Sequence, residues 1–141
     1  MFSLEINRIS LAEFDIGGVL YHARYFKLYE KAREALLDQI NFPYPELVAQ
    51  GKHLAVTESQ QKFLRPIRYG DSLTVEVRAG NVRKASLTFN YEIKRKGDEL
   101  VLHRASTKHA HIVSDSSGQF KPQSFSAGLY EKLTEFSKKT E

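Results

Sequence analysis

Cysteine is absent from the chain, which removes disulfides, thiolate nucleophiles and thiolate metal ligands together. That absence agrees with a reducing cytoplasm, where the protein is expected to reside. No run approaches the roughly 18–20 apolar residues that a membrane-spanning helix needs. The opening residues MFSLEINRIS carry no basic leader before an apolar core, so neither a membrane span nor a secretory signal is expected. There is no block of five basic residues; the densest stretches are KRK at 94–96 and KK at 138–139. No phosphate-binding loop or dinucleotide fingerprint occurs. Repeats, low-complexity tracts and Pro/Gly/Ser linkers are missing too, so one domain over 1–141 is expected.

What remains is an ordinary globular composition, 41% hydrophobic and 27% charged, with a net charge of +4. A mild positive balance fits an anionic partner, either nucleic acid or a phosphorylated small molecule, and equally fits none. The aromatic residues alternate toward a core rather than interleaving with Lys and Arg, so nucleic acid is not the expected partner.

Hydrophobic spacing orders the chain. Phe2, Leu4 and Ile6 alternate within a strand over about 2–9. Tyr25, Leu28, Tyr29, Ala32, Leu36 and Ile40 follow helical spacing from about Ala23, with Lys27, Lys31, Glu34 and Asp38 opposite. NFPYPE at 41–46 stops that helix, because each proline disfavours helix at the residue before it. ELVAQG gives a short turn of helix, and 54–64 is a strand with a weak pattern. Residues 73–79 and 85–94 are clean period-two strands joined by a turn in AGNV at 79–82. KGDE at 96–99 turns into a long strand through about Val113. A C-terminal helical extension covers about 126–139, with Ser126 as its candidate cap. One amphipathic helix and one antiparallel sheet of roughly five strands must bury their apolar faces on each other. The expected class is α+β.

The stretch EFDIGGVLYHARYF at 13–26 joins an acid, two glycines and the mouth of the long helix. Gly17 and Gly18 allow a tight turn and close approach of a ligand to the main chain. The helix start offers unpaired N–H groups and the positive end of a dipole. A carbonyl oxygen gaining charge could sit there, and losing one such donor typically costs about 3 kcal/mol of transition-state stabilisation. Asp15 could attack an acyl carbon or take a proton from water. The same residues also read as an ordinary loop in which Asp15 bonds its own backbone, with His22 merely flanking the helix and Tyr21 in the core. Spacing alone leaves both readings open.

DIGGVLYHARYFKLYEKAR at 15–33 and FLRPIRYGDSLTV at 63–75 resemble the 4-hydroxybenzoyl-CoA thioesterase family of hotdog-fold proteins, most closely the small bacterial acyl-CoA thioesterases associated with the Tol–Pal system. The resemblance spans about 4–113. It implies a hotdog fold, hydrolysis of an acyl-CoA, no cofactor, and assembly as a homodimer or homotetramer with sites between subunits. It implies Asp15 as catalytic nucleophile or general base, and His22 at the helix start whose backbone N–H polarises the thioester carbonyl, with its side chain assisting. Gly18 and Tyr21 match positions lining the thioester end of the pocket. Val82, Arg83 and Lys84 match a segment where relatives set basic residues against the CoA phosphates. Relatives often carry acid-Thr-Asp where this chain reads Glu13-Phe14-Asp15. Some hotdog thioesterases use a Glu on the long helix; Glu30 and Glu34 lie there, in what otherwise reads as a solvated face.

His103, His109 and His111 share a strand face by parity. Eight residues of strand span roughly 26 Å, too far for one ion to bridge His103 and His111. No metal site is expected, and these imidazoles read as a surface face or a subunit contact. The alternatives to an acyl-CoA hydrolase are an acyl-carrier-protein thioesterase and a non-catalytic module binding acyl groups, CoA or nucleic acid.

Overall fold

The computed structural model describes residues 1–139, so the last two positions of the expected 1–141 domain lie outside the described residues. The strands are β1 (Phe2–Ile6), β2 (Lys52–Phe63), β3 (Leu73–Gly80), β4 (Ser86–Arg95), β5 (Val101–Ser114) and β6 (Phe120–Pro122). The helices are α1 (Tyr25–Gln39), α2 (Tyr44–Ala49) and α3 (Ala127–Lys138). The sheet runs in the order β1-β3-β4-β5-β2, antiparallel throughout, with β6 pairing the end of β5. This is the α+β hotdog arrangement, an antiparallel sheet wrapped on a long helix, that the sequence leads one to expect.

The alternation in β3 and β4 places Leu73, Val75, Val77, Phe89, Tyr91 and Ile93 on the helix side, all buried. Against them α1 sets Tyr25, Leu28, Tyr29, Ala32, Leu36 and Leu37. The outer face is polar and laced with ion pairs, Lys94 to Glu76 at 3.3 Å and Arg104 to Glu92 at 2.8 Å. Lys94 and Glu76 are half-buried, whereas Arg104 is exposed, and a pair at the surface like the second adds little stability. Ser126 does cap α3, its Oγ accepting from the Leu129 amide at 3.2 Å. The β3–β4 turn falls slightly later than expected: β3 continues to Gly80, and Asn81 takes the left-handed conformation at φ 47°. The sixth strand was not anticipated, since three residues ending at Pro122 carry no period.

The histidines of β5 correct the sequence reading. They are neither a surface face nor an exposed contact within the chain: His103 and His109 have no exposed surface and His111 has 1%. Their face is the one that α1 covers. His109 Nδ1 donates to the Leu54 carbonyl at 3.2 Å, so its Nε2 is bare and accepts from the Thr107 hydroxyl at 2.8 Å. Thr107 in turn accepts from the Tyr91 hydroxyl at 2.6 Å, and Tyr91 accepts from Arg33 Nη1 at 3.1 Å. This chain satisfies four buried or half-buried polar groups in series, which is how a polar core residue avoids its desolvation cost.

Burial makes the imidazolium form costly. It lowers the pKa of His103 and of His109 from 6.5 to about 4, with the Arg33 charge adding to the effect at His109, and it lowers that of His111 as well. Between about pH 4 and 6.5 the unfolded chain therefore binds more protons than the folded one. Stability is fully present above about pH 6.5 and is lost as pH falls toward 4. Urea denaturation should show its midpoint dropping from pH 7 to pH 5, and His109→Gln should flatten that slope.

Candidate active site

Residues 13–21 form a small strap. Phe14 bridges Leu20 in antiparallel fashion, the Tyr21 amide donates to the Glu13 carbonyl at 3.1 Å, and the Asp15 amide donates to the Val19 carbonyl at 2.9 Å. Asp15 stands at the tip and Gly18 supplies φ 80°. Val19 bridges Arg68, and the Leu20 amide donates to the Ile67 carbonyl at 2.8 Å, which pins the strap beside the segment leaving β2. Past Tyr21 the chain makes one 3-10 turn, His22–Arg24, and runs straight into α1. The first bond of that turn is Arg24 N–H to the Tyr21 carbonyl at 2.8 Å. The His22 and Ala23 amides precede it and point out of the helix start with no helical acceptor.

Both readings of Asp15 have a structural counterpart. Its Oδ1 accepts from the amides of Gly17 at 2.9 Å and Val19 at 3.3 Å, so it does organise its own turn. Among the described residues its Oδ2 has no hydrogen-bond partner, and the residue is exposed in the single chain. Tyr21 is 43% exposed rather than in the core, and its ring lies 4.3 Å from that of His22. Glu13 is not idle: it pairs with Arg24 and with Lys27, each at 3.1 Å, and ties the strap to the first turns of the helix. Phe14 packs edge-on against Tyr69 at 5.6 Å. Glu30 is exposed and Glu34 half-buried.

Asp15, Gly18, Tyr21 and His22 are thus gathered on one strap, whereas Val82, Arg83 and Lys84 are not near it. Those three occupy the β3–β4 connection at the other end of the sheet. Val82 packs toward the core, and Arg83 opens on a hollow of about 410 Å³ shared with Asn81, Glu58 and Lys108. The strap end is marked by the Ile93–His103 pair and the far end by Ser86–Ala110. Seven residues of strand separate them, about 23 Å.

A second hollow, of about 250 Å³, lies beside the strap and is lined by Val19, Leu20, Tyr25, Phe63, Leu64 and Pro66. Its aromatic walls were not singled out in the sequence; Tyr25 reads there only as core, and Phe63 ends a strand of weak pattern. Phe63 meets Tyr25 edge-on at 5.1 Å and His103 at 4.6 Å. Those contacts cross 38 and 40 residues of chain, which local spacing does not register.

An acid with one oxygen outside its own turn, amides at a helix mouth and an apolar hollow beside the same strap are groups that can accept an acyl group. A family model described as Thioesterase superfamily matches residues 17–102. The chain belongs to this superfamily. The acyl-CoA thioesterase YbgC of Haemophilus influenzae is 29% identical over 119 residues, 84% of each chain. A putative esterase of Aquifex aeolicus is 25% identical over 105 residues, covering 74% of this chain and 80% of that one. The solved DHNA-CoA thioesterase of Staphylococcus aureus superposes with a TM-score of 0.85 at 26% identity, over 94% of this chain and 88% of the other. In this thioesterase-superfamily chain the matched stretch takes in Gly18, Tyr21, His22 and Val82 to Lys84. Asp15 stands two residues ahead of it.

The strap depends on Gly18, whose added Cβ would meet nothing within 4 Å yet would sit at positive φ. Gly18→Ala should therefore cost about 1 kcal/mol through backbone strain alone, read as a lower urea midpoint with an unchanged slope.

Proposed function

We propose that this thioesterase-superfamily chain hydrolyses acyl-CoA thioesters, with Asp15 as nucleophile or general base and the helix start at His22 as the oxyanion seat. The observation that carries the reading is the division of labour within the Asp15 carboxylate. Oδ1 is held by the Gly17 and Val19 amides, and Oδ2 is left unpartnered on a strap clamped next to the helix mouth. Two routes use that oxygen. It can take a proton from water as the water oxygen bonds to the carbonyl carbon, or it can bond to that carbon itself and be released later by water. In both, the C–S bond breaks and the electron pair leaves on sulfur; the thiolate takes its proton from the Asp15 carboxyl in the first route and from water in the second. The carbonyl oxygen carries negative charge on the way and faces the outermost amides of the helix start. The His22 side chain stands at the same place, in reach of the leaving group.

The CoA end calls for a second copy of the chain. On its outer side β2 has no strand partner among the described residues, and an unpaired edge of 12 residues invites pairing with its twin. A two-fold axis through the middle of an antiparallel β2–β2 pair reverses the strand direction. It would carry Arg83 and Lys84 of one copy toward the strap of the other, and so close the 23 Å gap. Basic residues there suit the phosphates of CoA, which favours CoA over a carrier protein as the acyl donor. The reading is a homodimer, with a pair of dimers as its larger form.

Thiol release from acyl-CoA substrates tests the catalytic assignment. Asp15→Asn should lower kcat at least about 10²-fold while leaving stability nearly intact, because the asparagine Oδ1 can still accept from both amides. An unchanged rate would remove Asp15 from the chemistry. Arg83→Glu should raise KM for acyl-CoA several-fold and spare the matching acyl-pantetheine thioester, which lacks the nucleotide phosphates.

A further inference from the structure

A third hollow opens between the end of β1, the strap and the start of α1, and four cations and two carboxylates line it. Its volume is about 350 Å³, within the range of small-molecule sites, about 300–1,000 Å³. The helix start supplies Arg24, Lys27 and Lys31, which recur at helical spacing along one flank with Leu28 among them. Arg8, just past β1, is the fourth cation; the acids are Glu13 and Glu30. The rest of the lining is hydrocarbon, chiefly Ile9, Leu20 and Leu28, all buried, whereas Arg8, Lys27 and Lys31 are exposed. Apolar groups therefore form the floor and charges the rim.

The charges on that rim do not cancel. Glu13 is engaged by Arg24 and by Lys27. Among the described residues the side chains of Arg8 and Lys31 make no ion pair, with Glu30 or with any other acid. Four cations against two carboxylates leave an excess of two positive charges at the mouth. A concave site with low-dielectric walls and one sign of charge concentrates the opposite ion. Its apolar floor favours an ion that brings hydrocarbon to cover it. An inorganic anion would leave that floor wet, and a nucleic-acid backbone binds through its phosphates and has no use for it. A carboxylate on a short hydrocarbon body satisfies rim and floor together.

We propose that this hollow is a second ligand site, which binds a carboxylate with a short hydrocarbon body and restrains turnover from outside the acyl pocket. It lies on the β1 side of the sheet, at the edge opposite β2, so a β2–β2 pair leaves it open. Leu20 lines both this hollow and the aromatic one, which makes the strap the wall between them. Glu13 draws the strap onto the helix start through Arg24 and Lys27. A carboxylate in the hollow competes with Glu13 for the same two cations and slackens that hold. The effect on turnover rests on the acyl-CoA reading above, in which free carboxylates are the product; the binding does not.

Calorimetric titration of the full-length protein with octanoate, acetate, octanol and inorganic phosphate separates the demands of rim and floor. Octanoate should bind at least about tenfold tighter than each of the others. The double variant Arg8→Ala/Lys31→Ala, at two exposed positions outside the strap, should weaken octanoate about tenfold and leave both the thermal melt and the rate without octanoate unchanged. During acyl-CoA hydrolysis octanoate should lower kcat and spare KM, and the double variant should need about tenfold more of it. An octanoate Kd that the double variant does not change overturns the proposal, and so does octanol or phosphate binding as tightly as octanoate. Inhibition confined to KM places octanoate in the acyl pocket and overturns it as well. Each of these results leaves the thioesterase reading standing. If no acyl-CoA is hydrolysed, that reading fails by itself, and the Kd values alone decide whether the hollow is a carboxylate site.

Discussion

The sheet reaches further sideways than the helix that covers it, and the rest of the molecule follows from that mismatch. Over β3 and β4, α1 seals a dry layer in which Tyr29, Ala32 and Leu36 have no exposed surface. At β2 the cover runs out. Leu54 is still buried at 9%, but Val56 is 50% and Phe63 55% exposed, although all three face the helix side. Apolar surface left in this way next to an unpaired strand edge is a place for something else to bind. The strap, the helix mouth and the aromatic hollow all gather at one end of this seam.

A seam is useful only if its walls hold still. The far end of β2 is fastened by the Arg33–Tyr91–Thr107–His109 chain, whose last bond ends on the Leu54 carbonyl. The amide of the same residue donates to the Tyr44 hydroxyl of α2 at 3.3 Å. Both peptide groups of one edge residue are thus anchored by side chains from inside the fold. The near end relies on aromatic contacts of Tyr25, Phe63 and His103. Polar bonds with one allowed direction fix register, whereas ring contacts tolerate adjustment, and the adjustable end is the one beside the strap.

Legibility in the sequence follows the same division. Where one face of a strand is fully covered, as in β3 and β4, alternation shows which side is which. In β2 it fails for two reasons. A bulge shifts the register between Val56 and Glu58 and so flips the parity, and Ser59 and Gln61 place polar groups on the helix side. Parity alone places the β5 histidines on one face, where they are found. Their residue type suggested exposure, and only the acceptors and donors that reach them from β2, α1 and β6's flank make burial affordable. The strap around Asp15 is readable because its geometry is local: an acid, a glycine turn and a helix start lie within eight residues. The Glu13 ion pairs and the Phe63–His103 contact depend on elements 11 to 40 residues apart, which no local period encodes.

The proposed pairing of β2 with its twin would treat the two ends of the seam unequally. Antiparallel pairing about a two-fold axis sets each residue of β2 opposite one equally far from the strand centre, so the loose end near Phe63 meets the anchored end near Leu54 of the other copy. A hollow of about 390 Å³ lies at that anchored end, lined by Arg33, Glu34, Tyr44, Leu54 and Val56. The strap of one chain would then face a rigid wall supplied by its partner. Adjustable rings would stand on the side that holds Asp15, and fixed polar bonds on the side that faces it. In such an arrangement a bound group would be held against a wall fastened by polar bonds, and proximity of this kind can lower a barrier substantially. In that proposed pair Arg83 and Lys84, at the opposite end of the sheet from Asp15 in one chain, would come to lie near the strap of the other.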